Sequence, residues 1–251
     1  EKNKYYIQMY KDEFKEHFIE IKLVIVEELE NMEQYVKCNK VDFAINRSRN
    51  HIMGELLEQK GVRVFNSSSV TRIANNKGIT YEFLKDVVPF LAVKYGNEII
   101  ESKIENKGFE YPYVIKSCSG HGGSQVFLVN NSKEEEQAIK AMNGQEYVVQ
   151  QCCSDLGRDV RVYIIGNKII KAVLRTSTES FKSNYSLGGK VQEYTLNNEE
   201  KAMVERIVDK LPLDYAGIDF TFHNGKAVFN EIEDAVGARM LYQVSDIDIV
   251  E

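Results

Sequence analysis

The first quarter of the chain alternates between helical and extended patterns. Apolar side chains near the start recur at steps of three or four residues, which is the period of an amphipathic helix. These side chains are Ile7, Tyr10, Phe14, Phe18 and Ile21. The apolar run 23–26 that follows predicts a strand. Because this lobe opens on a helix where a strand would normally come first, and the chain lacks an initiator methionine, we expect the true N-terminus to be missing from this sequence.

A second helical segment lies between two short apolar runs. Residues 42–45 and 62–65 have the composition of strands. Residues 48–60 carry apolar side chains at helical spacing, and Gly61 is placed to end that helix. Strands that alternate with helices predict a parallel sheet. We therefore expect residues 1–68 to form an N-terminal α/β lobe.

The remaining chain predicts two lobes of mixed helices and strands. Residues 69–88 have a helical pattern interrupted at Lys77 and Gly78, and they open a central lobe, 69–146. That lobe is predicted to contain strands 113–116 and 125–129 and helix 133–142. The last lobe, 147–251, is predicted to contain helix 198–211 and strands 147–151, 159–165, 168–175, 216–222 and 226–233. The turns at 165–168 and 223–226 are hairpin signals.

Composition and charge narrow the class of protein. The chain has 251 residues, 43% hydrophobic and 28% charged, which is typical of a globular protein with a sizeable core. The net charge of −6 argues against a nucleic-acid partner. No apolar run is long enough for a membrane span or a secretion signal. The cysteines Cys38, Cys118, Cys152 and Cys153 fit neither a disulfide framework nor a zinc site, so we expect reduced thiols in a cytoplasmic protein.

A lysine followed by glycines separates two predicted strands of the central lobe. The segment 116–124 begins with Lys116 and has the sequence KSCSGHGGS. Glycines allow backbone N–H groups to approach phosphate oxygens closely, and the lysine adds a fixed positive charge. The segment is not a Walker loop, because its lysine precedes the glycines. A phosphate-binding loop and a flexible hairpin loop are both compatible with this pattern.

Three acidic residues lie in apolar strands near the end of the chain. Asp219 lies in the run AGIDFTF, and Glu231 lies in AVFNEIED on the partner strand. Glu233 shares a face with Glu231, because strand side chains alternate. A carboxylate is costly to bury unless it is paired or bound to a cation, and converging oxygen ligands suit Mg²⁺ carrying nucleotide phosphates. These residues predict a magnesium site; the alternative is the solvated face of an edge hairpin.

Two arginines lie in otherwise apolar strands of the last lobe. Arg161 belongs to the run RDVR, and Arg175 ends the apolar run IIKAVL. Guanidinium groups hold phosphate or carboxylate through paired hydrogen bonds. Strand arginines are also common surface residues, and the polar loop 181–189 that follows Arg175 is not specific by itself.

Taken in order, these motifs resemble a known family. The series runs from a lysine at a helix, through the strand and glycine-rich loop, to VVQQ followed by DVR, a strand arginine, FKSNYSLGG, AGIDF and FNEIE. This order is similar to that of the ATP-grasp ligases, closest to the ribosomal-protein glutamate ligases, over residues 69–239. The resemblance implies an α/β fold in which an N-terminal parallel α/β lobe precedes two α+β lobes that clamp a nucleotide.

The resemblance also implies roles for individual residues. Lys77 and Lys116 would contact the ATP phosphates, and residues 117–124, with Ser119, Gly120, Gly122 and Gly123, would form a lid over them. Gln151 and Cys152 would form the hinge that contacts adenine, mostly through backbone groups, and Asp155 would reach the ribose. Arg161 and Asn184 would lie near the transferred phosphoryl group, and Arg175 would stabilise the acyl phosphate or tetrahedral intermediate. Asp219 and Glu231 would bind Mg²⁺, with Glu233 as a third ligand and Mn²⁺ as a substitute metal.

The chain departs from the family pattern at two places. Glu233 stands where the family usually has asparagine; it still offers oxygen ligands but adds a negative charge. The segment 234–239 also differs from the usual run of small residues and proline, and Arg239 is a candidate contact for a substrate carboxylate.

The expected activity is an ATP- and Mg²⁺-dependent ligation of a carboxylate to an amine through an acyl phosphate. The amine would belong to an amino acid, such as glutamate, or to a peptide, and neither nucleic acid nor membrane is an expected partner. Two alternatives use the same scaffold: a kinase that phosphorylates a hydroxyl group, and a regulatory module that binds ATP without turnover.

Overall fold

The described residues form one small parallel sheet and two five-stranded antiparallel sheets. A computed structural model describes residues 4–96, 98–100, 109–123, 125–178, 181 and 189–251. The N-terminal elements are α1 (Lys4–Glu16), α2 (Met32–Cys38), β1 (Phe43–Ile45), α3 (His51–Glu58) and β2 (Arg63–Phe65). Strands β1 and β2 pair in parallel, which confirms the predicted arrangement around α3.

The strand predicted at residues 23–26 is wrong. This segment runs without regular structure into a short 3₁₀ turn, Val26–Glu28. Leu23 and Ile25 are exposed, and only Val26 of this run packs against the N-terminal core. An apolar run forms a strand only when a neighbouring strand accepts its backbone hydrogen bonds, and here the small sheet consists of β1 and β2. Helix α2, with the sequence MEQYVKC, was not predicted; it follows the cap residue Asn31, whose side chain accepts a bond from the Gln34 amide.

The central sheet has the order β4-β3-β7-β5-β6. Its strands are β3 (Val93–Tyr95), β4 (Glu98–Ile100), β5 (Tyr113–Ser117), β6 (Val126–Val129) and β7 (Tyr147–Gln151), and its helix is α6 (Ser132–Met142). Strands β3 and β4 were not predicted. Strand β7 was predicted to open the last lobe, after a boundary between residues 146 and 147. It pairs instead with β5 and β3 in the central sheet. The lobe boundaries themselves stay predictions.

Two helices precede the central sheet, α4 (Ser68–Ala74) and α5 (Lys77–Leu84). The helical pattern was predicted to be interrupted at Lys77 and Gly78, but the break between α4 and α5 lies two residues earlier, at Asn75 and Asn76. Asn76 caps α5 by accepting a hydrogen bond from the Ile79 amide. Lys77 and Gly78 are instead the first residues of α5. A Cβ atom on Gly78 would lie 2.8 Å from the ring of Tyr95, so glycine is required for α5 to approach β3 this closely.

The C-terminal sheet has the order β10-β9-β8-β11-β12. Its elements are β8 (Asp155–Ile165), β9 (Lys168–Thr176), β10 (Lys190–Tyr194), α7 (Asn198–Lys210), β11 (Tyr215–His223), β12 (Lys226–Glu233) and α8 (Leu241–Val244). Both predicted hairpin turns are confirmed. Asn167 and Asn224 have positive φ values of 66° and 51°, the conformation that tight hairpin turns require.

One hydrophobic core joins the helices α4 and α5 to the C-terminal sheet. At its centre the ring of Tyr81 packs against Phe90 and Phe229. The Phe229 amide donates to the Pro89 carbonyl at 2.9 Å, and the Tyr81 hydroxyl donates to the Asn230 carbonyl at 2.6 Å. Strand β12 is therefore fixed to the central lobe as well as to its own sheet. Within the described residues, no helix is long and apolar enough to cross a membrane.

Candidate active site

A buried carboxylate lies between two arginines at the centre of the C-terminal sheet. Asp219 on β11 faces Arg161 on β8, and Arg175 reaches it from β9. Arg161 donates to both Asp219 oxygens at 2.8 and 2.7 Å, and Arg175 donates at 2.6 Å. Burial opposes ionisation, but the two guanidinium groups outweigh it and hold the pKa of Asp219 at about 2. The carboxylate is ionised and fully inaccessible, at 0% exposure.

A second carboxylate, Asp159, completes this cluster and was not assigned a role from the sequence. It lies opposite Arg175 across β8 and β9, and Arg175 donates to its Oδ2 atom at 2.7 Å. Arg175 therefore bridges two acids, Asp159 and Asp219. The signal was available, because Asp159 and Arg161 are two residues apart on β8 and must share a face of the sheet.

The other two predicted metal ligands have different partners. Glu231 lies opposite Asp219 across β11 and β12, and its carboxylate is 3.4 Å from the Lys77 ammonium. Glu233 pairs with Arg49 at 3.0 Å and lies 3.7 Å from Arg161. In the part of the chain that is described, no three acidic, histidine or cysteine residues form one metal-binding group. The structure thus brings Asp219 and Glu231 together as neighbours but directs Glu233 towards the N-terminal lobe.

Two lysines extend the site towards the central lobe. Lys116, at the buried end of β5, donates to the Asn230 side chain at 2.7 Å. Burial lowers the pKa of Lys116 to about 8, against the opposite effect of Glu231. Lys77 donates to the carbonyl of Gly120 at 2.7 Å and so joins α5 to the glycine-rich loop. Asn230 was not predicted as a site residue, although it lies within the motif FNEIE.

The glycine-rich loop follows Lys116 in the chain and contacts Lys77 through the Gly120 carbonyl. Gly122 and Gly123 have positive φ values of 64° and 74°, which glycine adopts without steric cost. His121 between the glycines faces the charges of Arg49 and Glu233; burial and Arg49 lower the pKa of His121. Gly120 packs against Ser117 and Gln125, and Ser119 is exposed. Ser124 lies outside the described residues, and the role of the loop as a lid stays a prediction.

The predicted hinge leads from β7 into β8. The Gln151 amide donates to the Ala92 carbonyl at 2.9 Å, whereas its side-chain oxygen Oε1 is buried with no hydrogen-bond partner among the described residues. Cys152 and Cys153 hydrogen bond to each other, which raises the pKa of Cys152 and lowers that of Cys153. Asp155 accepts a bond from the Gly225 amide at 3.1 Å, so in this structure it supports the β11–β12 turn.

Two further predicted residues have no established place in the site. Asn184 lies outside the described residues. Arg239 is exposed after β12, and its contact with a substrate carboxylate stays a prediction. Arg49, by contrast, was missed: it precedes α3 in the N-terminal lobe, and no pattern in the sequence connects it with Glu233.

Comparisons with known proteins agree with this geometry. The RimK-like ATP-grasp domain family matches residues 67–251, which is most of the chain. The uncharacterized protein MG011 of Mycoplasma genitalium is 35% identical over 218 residues, which cover 86% of this chain and 74% of that protein. A probable alpha-L-glutamate ligase of Vibrio vulnificus is 27% identical over 230 residues, which cover 90% of this chain and 67% of that protein.

Solved structures show the same fold. The RimK domain protein ATP-grasp from Sphaerobacter thermophilus superposes with a TM-score of 0.71 at 19% identity, covering 94% of this chain and 89% of that chain. The ATP-grasp ligase PsnB, in complex with a variant of its minimal precursor, Mg and ADP, gives a TM-score of 0.59 at 18% identity, covering 80% and 62%. The predicted α/β ATP-grasp fold is confirmed, and the chain belongs to the RimK-like ATP-grasp family of ATP-dependent ligases.

Proposed function

We propose that the chain joins a substrate carboxylate to the amine of an amino acid or peptide through an acyl phosphate. A carboxylate oxygen attacks the γ-phosphorus of ATP, the bond from that phosphorus to the bridging oxygen breaks, and ADP leaves. The amine nitrogen then attacks the acyl carbon, loses a proton, and expels inorganic phosphate. The observation that carries this proposal is the buried cluster of Arg161, Arg175 and Asp219 next to two lysines.

The two lysines would bind the phosphates of ATP. Lys116 is almost completely buried, and a buried ammonium gains more from a nearby polyanion than an exposed one does. Lys77 is held between Gly120 and Glu231, so it lies between the glycine-rich loop and the acidic strand. A triphosphate placed between the central and C-terminal lobes would meet both charges.

The two arginines would stabilise the charge of the transferred phosphoryl group and of the acyl phosphate. Each guanidinium is oriented by bonds from neighbouring strands: Arg161 to Asp219, and Arg175 to Asp159 and Asp219. Fixed donors of this kind stabilise a developing negative charge without reorganising during the reaction. The role of Asn184 in the same step remains part of the proposal on the basis of the sequence alone.

Asp219 and Glu231 fit a magnesium ion by their chemistry. Both offer hard oxygen atoms from neighbouring strands, and Mg²⁺ in nucleotide sites commonly uses one or two carboxylates together with phosphates and water. The bound ion would neutralise phosphate charge, and Mn²⁺ is a chemically similar substitute. Binding requires Asp219 to share its oxygens with the ion, because three guanidinium N–H groups now donate to them. The third predicted ligand, Glu233, has Arg49 as its partner.

The hinge has an unsatisfied acceptor that suits a nucleotide. A buried side-chain oxygen without a partner is costly, and Gln151 Oε1 is such an atom within the described residues. The exocyclic amine of adenine is a hydrogen-bond donor and would satisfy it. We propose Gln151 as a contact to adenine, with the backbone of Cys152 beside it and Asp155 near the ribose.

Similar proteins indicate which amines and carboxylates to test first. The Vibrio vulnificus relative is named a probable alpha-L-glutamate ligase, and PsnB has also been solved in complex with a precursor peptide. Glutamate is therefore the first amine to test, and peptide carboxylates are the first donors. Arg239, exposed after β12, is a candidate contact for either carboxylate.

The proposal is tested by measuring ADP release with Mg²⁺, ATP, free amino acids and peptide carboxylates, and by mass spectrometry of the products. An amide product with one ADP per bond supports the ligase. A phosphoester product would establish the kinase alternative, and ATP binding without ADP release would establish the regulatory module. Glu231→Gln should lower turnover by about 10²–10³-fold, and wild-type turnover in this variant would contradict the metal assignment.

A further inference from the structure

The structure assigns a second binding feature beside the proposed phosphoryl site, formed by Arg49 of the N-terminal lobe and Glu233 of β12. We propose that this pair binds the charged head group of a free α-amino acid, with its carboxylate on Arg49 and its ammonium on Glu233. The inference rests on the proposed ligase function and specifies its amine substrate as a zwitterion.

Arg49 is held in an unusual backbone conformation by its own loop. Its φ value is 62°, a region that a residue with a long side chain rarely adopts and that costs about 1 kcal/mol or more. The Asn46 side chain accepts bonds from the amide and hydroxyl of Ser48 at 3.1 and 2.7 Å, and its own amide donates to the Asn50 carbonyl. Asn50 in turn caps α3. The loop therefore presents the Arg49 side chain from a fixed base.

The contact between Arg49 and Glu233 is open enough to exchange partners. The side chains are 32% and 17% exposed, and one guanidinium nitrogen lies 3.0 Å from one carboxylate oxygen. Such partly exposed pairs contribute little to stability. Among the described residues, the Arg49 guanidinium donates one hydrogen bond, to Glu233, so its other N–H groups are available to a ligand there.

The chemistry of the pair is complementary to an amino acid. A guanidinium group binds a carboxylate through two parallel hydrogen bonds, and a glutamate carboxylate accepts bonds from an ammonium group. A free α-amino acid has a carboxylate and an ammonium group attached to the same carbon atom. When it enters, Arg49 exchanges Glu233 for the carboxylate of the ligand, and Glu233 exchanges Arg49 for its ammonium. Neither side chain is left without a partner of opposite charge.

The surroundings place this head group next to the reaction. Glu233 Oε2 lies 3.7 Å from Arg161, which donates to Asp219. Glu231, two residues before Glu233 on β12, pairs with Lys77. An ammonium held at Glu233 would therefore lie beside the groups proposed to hold the acyl phosphate, while its carboxylate is kept away from them by Arg49. The ammonium gives one proton to Glu233 or to water before its nitrogen attacks the acyl carbon, and the nitrogen loses a second proton after the attack.

Glu233 then has a different task from metal binding. Two carboxylates together with phosphates suffice for Mg²⁺, and Asp219 and Glu231 supply them. The alternative is that Glu233 leaves Arg49 and becomes a third metal ligand. The two possibilities predict different losses when Glu233 loses its charge, so they can be separated by experiment.

The test is calorimetric titration of the full chain with a panel of free L-amino acids, starting with glutamate, in the presence of Mg²⁺ and a non-hydrolysable ATP analogue. Each amino acid that binds is compared with its α-methyl ester, which lacks the carboxylate charge, and its N-acetyl form, which lacks the ammonium. Arg49→Gln should lower the affinity for the amino acid by about tenfold or more, which is the range expected for the loss of a hydrogen bond to a charged group. The α-methyl ester should bind wild type and Arg49→Gln equally weakly.

Glu233→Gln should lower the affinity for the amino acid by a similar factor and leave the weak binding of the N-acetyl form unchanged. The affinity for Mn²⁺, measured by electron paramagnetic resonance, should be the same as in wild type. Arg63→Gln is the matched control, since Arg63 pairs with Asp214 between the same two lobes, and it should bind the amino acid normally. Unfolding curves of each variant confirm that it is folded.

Three outcomes would overturn the inference. The first is an amino acid bound equally well by wild type and Arg49→Gln; the second is a loss of Mn²⁺ affinity in Glu233→Gln. The third is wild-type chain that binds the ATP analogue but no amino acid, which leaves the proposed ligase intact with a peptide amine as its substrate. Failure to bind the nucleotide analogue at all would instead contradict the proposed function, and the inference with it.

Discussion

Arg161 and Asp219 lie directly opposite each other on β8 and β11, and the arginine donates to both oxygens of the carboxylate, at 2.8 and 2.7 Å. The pair is buried in the sheet, and Arg175 donates to the same carboxylate. Removing Asp219 therefore affects two buried cations at once. The acid that we propose for metal binding is also a structural residue, which determines how its variants must be interpreted.

Asp219→Asn is expected to destabilise the chain by about 3–5 kcal/mol, the usual cost of breaking a buried ion pair from one side. The free energy of unfolding in urea measures this loss. Glu231→Gln is the matched control, because the Glu231 carboxylate is partly exposed and pairs with Lys77; its effect should stay within about 1 kcal/mol. Equal stability of the two variants would contradict the importance of the buried cluster.

The affinity for an ATP analogue should depend on pH through Lys116. Burial lowers the pKa of Lys116 from 10.5 to about 8, so the free chain loses this positive charge as the pH rises through that value. Bound phosphate would favour the charged form, and the affinity should therefore fall as the pH increases above about 8. The same shift has the opposite effect on folding: the unfolded chain binds more protons between the two pKa values, so the contribution of Lys116 to stability rises with pH in that window.

Lys116→Met provides the control for this pH dependence. It should bind the analogue more weakly at neutral pH and should show no further loss in alkaline solution. Calorimetric titrations across the range, with wild type and variant in parallel, make the comparison. A wild-type affinity that is constant from neutral to strongly alkaline pH would exclude Lys116 as a phosphate contact.

Gln151→Met is expected to separate stability from nucleotide binding. The substitution replaces a buried carbonyl oxygen, which has no hydrogen-bond partner in the part of the chain that the structure describes, by an apolar group of similar size. The ligand-free chain should be unchanged or more stable, by up to about 1–3 kcal/mol, since an unsatisfied buried acceptor is removed. Affinity for the ATP analogue should fall, because the proposed adenine contact is lost. A variant that is both less stable and fully able to bind would show that Oε1 serves the fold instead.

Gly78→Ala should disturb the contact between α5 and β3. Its Cβ atom would lie 2.8 Å from the Tyr95 ring, and overpacking of this kind typically costs about 1–3 kcal/mol. Gly237→Ala is the control, since among the described residues, its own chain neighbours apart, no atom lies within 4 Å of its added Cβ. Thermal unfolding compares the two. Because Lys77 precedes Gly78 in α5, we also expect weaker nucleotide binding in Gly78→Ala than in Gly237→Ala.

The sequence contained enough to predict that Asp219 and Glu231 lie on neighbouring strands. Asp219, Glu231 and Arg161 lie in strands whose alternation determines the face of each side chain, and the turn at Asn224 and Gly225 brings two of those strands together. Local rules of this kind operate over a few residues, and they correctly predicted most elements of the C-terminal sheet.

Contacts between lobes could not be predicted in the same way. Arg49 and Glu233 are 184 positions apart, and no periodicity relates them. The exposed segment 23–26 was predicted as a strand because its composition is apolar, but strand formation depends on a pairing partner elsewhere in the chain. The partner of Glu233 was missed for the same reason: the sequence shows a charge but not the distant group that neutralises it.

Asn230 links β12 to the central lobe, and this link has a consequence for nucleotide binding. Its carbonyl accepts a bond from Tyr81, its side chain accepts one from Lys116, and the next residue is Glu231. The spacing between Lys116 on β5 and Glu231 on β12 is thus fixed by protein contacts that do not involve a ligand. Nucleotide entry should leave the amides around this residue as slow to exchange with deuterium as they are in the empty chain, and rearrangement should be concentrated in the segment that carries His121.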